Sequence, residues 1–418
     1  MISPARTEAL HMLLSDKIDI RCEKKEDQKL AERISYGTLQ NERFLDYCIS
    51  RYSSRPLGRL NRITLTILRI SAYQLLFLER VPPSAVVNDA VSLCRSMKAD
   101  YASGYVNAVL RKIAADKALL ISEKSEPAVR YSHPAWLVSA LTREYGEEFT
   151  EKFLIANQEI PKLRIQVNTR KINLVEYLKK MEQAHLPVLD VNETLSSVLT
   201  ESTRVDSLPG YREGLFFIQD DAARMAVRIA GIRDDTLVLD ACAAPGGKSM
   251  ASSAEGANEI VACDISPSRL IRCRENFERL SLPICLVEAD AAEFKPEWEG
   301  RFDLVLADVP CSGTGIIRKE PEIRRKDNSI LSGLIPLQKR ILSNVSRYVK
   351  PGGILVYSTC SVLREENEDQ IRTFLSEHLN FSLLPVSVAG YQCENGMMRS
   401  WPQMNDNDGF FAAKLKKQ

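Results

Sequence analysis

The stretch Asp240–Lys248 reads DACAAPGGK and directly follows the short apolar run Thr236–Leu239. Very small residues and two glycines at the end of a strand form a turn whose backbone N–H groups can approach a ligand closely. The turn does not contain the G-x-G-x-x-G pattern of dinucleotide-binding enzymes. The sequence therefore predicts the first strand of an α/β domain and a ligand-binding turn of another kind.

Downstream of this turn, short apolar runs alternate with helical stretches. The runs are Ile260–Ala262, Ile284–Val287, Phe302–Ala307 and Ile354–Ser358. This alternation is typical of a doubly wound parallel sheet, whose strand carboxyl ends lie at one edge and bind ligands there. We therefore expect residues 215–418 to form a Rossmann-like domain with its functional site at that edge.

An aspartate lies at the end of each of the first four strands of this domain. Asp240 ends the first strand, and Asp264 ends the second, where a carboxylate accepts hydrogen bonds from ribose hydroxyls. Asp290 follows the third strand, in position for an exocyclic amine, and Asp308 ends the fourth. A single aspartate is more often a turn or a helix cap, but the shared placement of all four predicts an adenosine-type ligand.

Two cysteines follow strands that can be neighbours: Cys311 lies in DVPCSGTG and Cys360 lies in YSTCS. A cysteine is usually a small buried hydrophobe. However, the C5 carbon of cytosine is too weak a nucleophile to take a methyl group from a sulfonium until a thiolate adds to C6. Asp308 can hydrogen-bond N3 of such a ring. These residues indicate cytosine methylation, and their spacing leaves open which cysteine attacks.

The first 125 residues have few Gly or Pro and apolar positions at helical spacing. Residues Leu60–Leu78 are apolar around the whole helix circumference, which predicts a buried central helix. Basic residues exceed acidic ones in this part of the chain, although the net charge of the whole is +1. Five arginines could bind phosphates or could form a solvated helix face. They are Arg51, Arg55, Arg59, Arg62 and Arg69.

A second, smaller unit is predicted between the helical part and the Rossmann-like domain, over residues 126–214. It begins with short helices and continues with a strand at Leu163–Asn168, in which apolar and polar residues alternate. Asn173 can cap a following helix, and Ser197–Thr200 can return as a strand. We therefore expect a small α/β unit here.

The composition excludes several classes of protein. With 418 residues the chain is too long for one core. No apolar stretch approaches the roughly 18 uncharged residues of a membrane helix, so we expect a cytoplasmic protein with no membrane partner. The ten cysteines include no C-x-x-C pair and there are only four histidines, so we expect reduced, mostly buried thiols and no metal site.

Three runs described above resemble the signatures of the RNA cytosine-5 methyltransferases of the RsmB/Sun family: Asp240–Lys248, Asp308–Gly315 and Tyr357–Ser361. The N-terminal part resembles the NusB-like domain of the bacterial branch of this family. The matching segments there are Arg55–Leu57, Leu68–Leu78, Val81–Pro83, Val87–Val91 and Val106–Arg111. Further matches are Gln166–Thr169, Gly214–Asp221 and Asp408–Phe411.

The resemblance implies a multidomain protein. It consists of an all-α NusB-like RNA-binding domain (1–125), a helical linker with a small α/β, ferredoxin-like subdomain (126–214), and a Rossmann-like class I S-adenosylmethionine methyltransferase domain (215–418). It also implies that S-adenosylmethionine is the cofactor and that one loop wraps it. The loop residues are Cys242, Ala243, Ala244, Pro245, Gly246, Gly247 and Lys248.

The resemblance further assigns roles to individual site residues. It implies that Asp264 holds the ribose, Asp290 the adenine, and that Asp308 lines the same pocket on the cytosine side. It also implies that Cys360 is the nucleophile and that Cys311 helps to release the product. Lys248 is expected to help position the target ring.

One segment departs from the family pattern. After Gly315 the family continues with a basic stretch, His-Pro-Asp and a Trp, whereas here Ile316–Lys319 runs into Glu320–Glu322 and Arg324–Lys326. Only the basic character is retained. We expect this loop to border the RNA channel.

These observations favour a monomeric enzyme that forms 5-methylcytosine in 16S ribosomal RNA through a covalent adduct between a cysteine and C6. One alternative is the same reaction on transfer RNA. Another is a non-catalytic NusB-like factor that binds RNA in antitermination, in which the α/β domain has lost its activity. The retained thiols, glycine turn and aspartates argue against that second alternative.

Overall fold

The computed structural model describes residues 2–15, 22–123, 125–201 and 204–418. The chain forms two compact units. The helical unit comprises Met1–Gln158 together with Glu320–Asp327, and the α/β unit comprises Glu159–Lys319 together with Asn328–Gln418. The three-domain division at 125/126 and 214/215 stays a prediction.

The helical unit contains ten α-helices in its described residues. They are α1 (Pro4–Ser15), α2 (Lys25–Gln40), α3 (Glu42–Tyr52), α4 (Arg62–Phe77), α5 (Pro83–Ser96), α6 (Ser103–Ala115), α7 (Lys117–Ser122), α8 (Pro127–Arg130), α9 (Ala135–Tyr145) and α10 (Glu147–Ala156). The predicted central helix is confirmed as α4. Asn61 caps it by accepting a hydrogen bond from the Ile63 N–H, and most of its residues are buried.

The structure changes the interpretation of the five arginines. Arg69 is half-buried on α4 and forms two hydrogen bonds of 2.7 Å to the carboxylate of Asp46. Arg51 pairs with Glu123. The sequence did not reveal these partners because they lie outside the arginine-bearing segment. The side chains of Arg55, Arg59 and Arg62 are exposed. The predicted phosphate-binding stripe is therefore reduced to these three arginines, because Arg51 and Arg69 at its ends pair with carboxylates of the protein.

The α/β unit begins with a four-stranded antiparallel sheet in the order β2-β3-β1-β4. Its strands are β1 (Leu163–Val167), β2 (Asp190–Asn192), β3 (Ser197–Thr200) and β4 (Phe216–Ile218), and α11 (Leu174–Gln183) follows β1. Asn173 and Glu176 form a capping box at the start of α11. The predicted strands, cap and small α/β unit are confirmed.

The larger sheet has five parallel strands in the order β9-β8-β5-β6-β7. They are β5 (Leu237–Asp240), β6 (Glu259–Asp264), β7 (Cys285–Glu288), β8 (Phe302–Asp308) and β9 (Val349–Thr359). The chain runs from β5 outward to β7 and then returns to β8 on the other side of β5. This reversal creates a topological switch point at the ends of β5 and β8, as in Rossmann-like folds. The Rossmann-like prediction is confirmed.

Helices and antiparallel strands complete this unit. The helices are α12 (Asp221–Arg228), α13 (Gly247–Ala254), α14 (Pro267–Leu280), α15 (Leu331–Ser346), α16 (Glu368–Glu377) and α17 (Pro402–Asn405). The antiparallel strands are β10 (Phe381–Leu383), β11 (Gln392–Glu394), β12 (Met397–Ser400) and β13 (Phe410–Lys417). Strand β13 pairs with β9, which places the segment Asp408–Phe411 beside the end of β9.

The cysteines are all free thiols, as expected. Only four of them are buried, however, so the expectation that most are buried is wrong. The buried four are Cys48, Cys94, Cys263 and Cys273. Among the residues that the structure describes, no helix is long and apolar enough to cross a membrane.

Candidate active site

The glycine turn after β5 is shaped by two close approaches. Gly246 has a φ of 103°, and a Cβ there would lie 2.8 Å from the ring of Phe277. A Cβ on Gly247 would lie 3.2 Å from Nε2 of Gln219. Gly246 requires glycine because of its positive φ and the packed ring of Phe277, whereas a Cβ on Gly247 would need only a small shift of the Gln219 side chain. Helix α13 begins at Gly247, so its first N–H groups point out of this turn.

Asp240, at the end of β5, links the glycine turn to helix α13. It is completely buried, and the Ser249 hydroxyl donates a 2.7 Å hydrogen bond to its Oδ2. Burial raises the pKa of Asp240 to about 6. Asp240 is therefore a structural carboxyl group that joins the end of β5 to the first turn of α13.

Asp264 joins the glycine turn to the start of α14. Its Oδ2 accepts a 3.2 Å hydrogen bond from the Ala244 N–H. Its Oδ1 accepts from the Ser266 N–H at 2.9 Å and from Arg269 at 2.7 Å. The sequence analysis missed Arg269, whose signal was its position on the first turn of the helix behind Asp264. Asp290 follows β7, and its Oδ1 accepts a 2.8 Å hydrogen bond from the Ala292 N–H.

A partly buried ion pair joins the first turn of α13 to the end of β8. Lys248 Nζ is 2.5 Å from Asp308 Oδ2, and the Ser358 hydroxyl donates a 2.9 Å hydrogen bond to Asp308 Oδ1. Lys248 Nζ also lies 5.0 Å from the ring centroid of Phe410. The structure thus brings together Lys248 and Asp308, two of the predicted site residues, with Ser358 and Phe410, which had no assigned role.

The two cysteines of the predicted site face each other. Cys311 Sγ and Cys360 Sγ are 3.1 Å apart, and both side chains are half-buried. The pKa of Cys360 is raised well above its usual value of 9.0 by its hydrogen bond with Cys311, by burial and by the charge of Asp308, while Lys248 opposes these effects. Cys360 is therefore a neutral thiol near pH 7, and a reaction at its sulfur requires loss of the thiol proton.

The backbone around the cysteines is tightly packed. The Gly315 N–H donates to the Cys360 carbonyl at 2.9 Å, and the Gly409 N–H donates to the Gly315 carbonyl at 2.9 Å. A Cβ on Gly315 would lie 1.9 Å from the Gly409 carbonyl oxygen. Glycine is therefore required at position 315, where the loop of Cys311 passes between Cys360 and the segment before β13.

Lys319 connects two of the segments that had matched the family pattern. Its Nζ is 3.0 Å from Asp220 Oδ2 and 2.7 Å from Asp408 Oδ2. Burial and the neighbouring charge of Asp220 raise the pKa of Asp408 to about 7, although Lys319 opposes them. The lysine thus holds the end of the Cys311 loop against the start of α12 and the segment before β13.

Part of the predicted RNA-channel loop has another role, because Glu320–Asp327 belongs to the helical unit. Arg324 is buried there and donates to the carbonyls of Tyr131 at 2.7 Å, Ser132 at 3.2 Å and Asn157 at 2.8 Å. These carbonyls lie near the ends of α8 and α10, where helices leave acceptors without internal partners. The guanidinium of Arg324 is therefore sequestered inside the protein, and the prediction that this loop borders the RNA channel stays a prediction.

Comparisons with known proteins agree with this architecture. A family model described as 16S rRNA methyltransferase RsmB/F matches residues 228–416. The NusB family model matches residues 4–115, and the ferredoxin-like domain of RsmF/B-like methyltransferases matches residues 133–204. The protein named ribosomal RNA small subunit methyltransferase B of Yersinia enterocolitica is 33% identical over 94% of this chain and 91% of its own length. The chain belongs to the RsmB methyltransferase family.

Other relatives extend this similarity. The RsmB-family protein of the same name from Pseudomonas syringae is 34% identical over 96% of this chain and 91% of its own length. The protein in the crystal structure of PH0851 is 26% identical in sequence to this chain. Its structure aligns with a TM-score of 0.85 over 100% of this chain and 99% of its own. A methyltransferase homolog protein from Pyrococcus horikoshii is 26% identical, with a TM-score of 0.62, over 70% of this chain and 98% of its own.

As a member of the RsmB family, the chain is a methyltransferase that uses S-adenosylmethionine. The residues present fit this cofactor. The glycine turn leads into the N-terminus of α13, Asp264 ends strand β6, and Asp290 follows the neighbouring strand β7 at the same sheet edge. The resemblance identified in the sequence and the NusB-like fold of the N-terminal part are confirmed.

Proposed function

We propose that this chain is an S-adenosylmethionine-dependent RNA methyltransferase that forms 5-methylcytosine in 16S ribosomal RNA. The observation that carries the proposal is the pair of thiols, Cys311 and Cys360, with sulfurs 3.1 Å apart beside the Lys248–Asp308 ion pair. A thiol at a cofactor-binding sheet edge supplies the nucleophile that methylation at C5 of cytosine requires, because C5 must first be made nucleophilic, and the second thiol lies beside it.

In this proposal Cys360 is the nucleophile. Its sulfur bonds to C6 and its proton leaves, while the electron pair of the C5–C6 double bond moves toward the ring nitrogen N3. In this proposal N3 takes up the proton that the thiol loses, and the carboxylate of Asp308, with Lys248 beside it, accepts the hydrogen bond from that N3–H. S-adenosylmethionine supplies the methyl group that C5 takes. Loss of the C5 proton to a base then restores the double bond and breaks the bond between sulfur and C6.

The remaining site residues bind and orient the cofactor. We assign the backbone of Cys242–Lys248 to its wrapping, the carboxylate of Asp264 to the ribose hydroxyls, and Asp290 to the adenine amine. Cys242 is suited to a passive role, since burial raises its pKa well above the usual 9.0 and keeps it uncharged. Cys311 is assigned to product release.

Several observations support ribosomal RNA as the substrate. The two bacterial relatives described above carry the name ribosomal RNA small subunit methyltransferase B. Their similarity covers the NusB-like part as well as the methyltransferase domain. In this proposal the exposed side chains of Arg55, Arg59 and Arg62 bind the phosphate backbone of the RNA and do not distinguish its base sequence. We place the enzyme in the cytoplasm, as a monomer.

Two alternatives make different predictions. Methylation of transfer RNA would use the same site and differ only in substrate. A non-catalytic RNA-binding factor would not bind S-adenosylmethionine, and the retained glycine turn, carboxylates and paired thiols argue against it.

The deciding experiment incubates the purified protein with S-adenosylmethionine and either unmodified 16S ribosomal RNA or pooled transfer RNA. Digestion and mass spectrometry then quantify 5-methylcytidine. We expect the product in ribosomal RNA alone, its loss in Cys360→Ala, and retained cofactor binding by that variant in calorimetry. Product only in transfer RNA would show that the substrate is transfer RNA and would leave the proposed mechanism unchanged. No product in either RNA, together with no cofactor binding, would support the non-catalytic factor.

A further inference from the structure

A cluster of buried polar side chains lies behind the two thiols. We call it the Glu366 cluster, and each member is at most 1% exposed. It consists of Ser312, Thr314, Gln338, Ser361 and Glu366. Among its members, Ser312 directly follows Cys311 and Ser361 directly follows Cys360. The cluster is thus attached to both cysteine-bearing segments, although it does not overlap with the cofactor-binding residues.

The carboxylate of Glu366 holds the Cys311 side of this cluster. Its Oε1 accepts a 2.8 Å hydrogen bond from the Ser312 N–H and a 2.9 Å bond from Gln338 Nε2. Its Oε2 accepts a 2.5 Å bond from the Ser312 hydroxyl. Two of the three bonds therefore go to the residue next to Cys311. Hydrogen bonds to a carboxylate are among the stronger ones in proteins, particularly where water is excluded.

The Cys360 side is joined to the same cluster by hydroxyl groups. Ser361 Oγ lies 3.2 Å from the hydroxyl oxygens of both Ser312 and Thr314. The Leu363 N–H donates to Ser361 Oγ at 3.1 Å. Glu366 itself lies six residues after Cys360, so one short segment carries a thiol and the carboxylate that orients the other thiol.

The two cysteines differ in how their backbone is held. Cys360 directly follows Thr359, which pairs with Phe411 in the β9–β13 ladder. Cys311 lies in the loop after β8, whose backbone donates to Ser358 from Val309 at 3.1 Å and to Cys360 from Gly315 at 2.9 Å, and between these two points Glu366 holds Ser312. Loss of the Glu366 carboxylate would therefore displace Cys311 more than Cys360, because the ladder still fixes the end of β9.

We propose that Glu366 is a positioning residue that keeps the Cys311 thiol against Cys360 and thereby sets the rate of product release. The proposal rests on the proposed function, in which Cys360 attacks and Cys311 assists release. Glu366 touches neither thiol in this arrangement and acts through Ser312. Exchange of Glu366 for Gln removes the negative charge and one acceptor oxygen, which weakens the hydrogen bonds that hold Ser312.

The first test measures the position of Cys311 without RNA or cofactor. Diamide, a thiol oxidant, takes two electrons and two protons from the paired thiols as their disulfide forms, and peptide mass spectrometry quantifies it. We expect the Cys311–Cys360 disulfide to form at least about tenfold more slowly in Glu366→Gln than in wild type. Glu365→Gln removes the same charge one residue earlier and is expected to behave as wild type. Equal rates in all three proteins would overturn the proposal.

The second test measures the reaction. We expect multiple-turnover formation of 5-methylcytidine to fall on the order of 10–100-fold in Glu366→Gln, while a denaturant-resistant enzyme–RNA complex accumulates. The KM for S-adenosylmethionine is expected to stay unchanged. In a Cys311→Ala background, Glu366→Gln is expected to have no further effect, because its action passes through Cys311. A further loss in that background would contradict the proposal and indicate a general structural defect.

One further variant and two combinations of results separate failure of the proposed function from failure of the positioning role. Ser312→Ala removes one of the three hydrogen bonds to the carboxylate. We expect it to slow disulfide formation and 5-methylcytidine formation by a smaller factor than Glu366→Gln does. This variant tests the proposal if Glu366→Gln does not fold. If wild type forms no 5-methylcytidine while Glu366→Gln still slows disulfide formation, the proposed function fails and the positioning role stands. If wild type is active and Glu366→Gln matches Glu365→Gln in both tests, the positioning role fails alone.

Discussion

The charges around Cys360 predict how fast its thiol reacts with an alkylating reagent, and in which direction each neighbour changes that rate. The hydrogen bond to Cys311, burial and Asp308 all raise the pKa of Cys360, while Lys248 lowers it. Lys248→Met is therefore expected to slow alkylation, because it removes the cation. Asp308→Asn and Cys311→Ala are expected to accelerate it. The last two changes thus increase thiol reactivity although both impair the proposed catalysis.

The expected size follows from the fraction of thiolate. A thiol with a pKa of 9 is about 3% ionised at pH 7.5, and Cys360 is expected to be less ionised than that. Its alkylation rate should rise about tenfold per pH unit from pH 7 to at least pH 9. Removing one neighbouring charge shifts such a pKa by about one unit, so each charge substitution should change the rate at pH 8 by about tenfold.

The assay treats each protein with iodoacetamide between pH 7 and pH 10 and quantifies alkylation of the Cys360 peptide by mass spectrometry. The exposed thiol of Cys285 serves as an internal control, and its rate should not change among the variants. A rate for Cys360 that levels off below pH 8 in wild type would refute the reasoning. So would the same direction of change for Lys248→Met and Asp308→Asn.

Three further predictions concern cofactor binding and stability. Asp264→Ala is expected to weaken S-adenosylmethionine binding in calorimetry by about 10–100-fold through lost ribose hydrogen bonds, whereas Glu275→Ala on the exposed face of α14 should leave it unchanged. Burial and the charge of Arg324 hold the pKa of His133 well below 6.5, so its neutral form stabilises the fold above pH 6.5. Below that pH, urea unfolding should show a loss of about 1.4 kcal/mol per pH unit that His133→Phe abolishes. Arg324→Ala should cost about 3 kcal/mol in the same assay, because buried carbonyls lose their donor, and the exposed Arg325→Ala less than about 1 kcal/mol.

Much of the α/β unit follows from local patterns in the sequence. Apolar runs and turn residues placed β5 to β8 within two residues of their observed ends, because a buried parallel strand needs a continuous apolar stretch. Strand β9 begins five residues before its predicted start and continues through Pro351–Gly353, for which the sequence predicts a turn. Asp264, Asp308 and Cys360 were predicted to lie at one site because strand carboxyl ends share one edge of the sheet. The cap at Asn173 was equally local, since a helix start must satisfy its free N–H groups.

Other features depend on partners that lie far apart in the chain. The structural role of Arg324 was not predicted because nothing near it in sequence reveals the carbonyls of Tyr131 and Asn157 that accept its hydrogen bonds. Glu366 was overlooked because an acidic residue after a conspicuous cysteine motif is ordinarily exposed. The pairing of β13 with β9 was also missed, since strand order cannot be read from apolar periodicity alone.

The backbone around the two thiols also supports a division of labour that spacing in the sequence left open. A nucleophile must meet C6 in a fixed geometry, and the Cys360 thiol extends from the end of a strand that pairs on both sides, with β8 and with β13. Cys311 lies in a loop that hydrogen bonds from Glu366 hold in place. A thiol on such a loop can approach the adduct after methyl transfer without disturbing the attacking sulfur. In the proposed function, the position of Cys360 at the end of a strand paired on both sides suits covalent attack, and the position of Cys311 in the adjoining loop suits assistance in release.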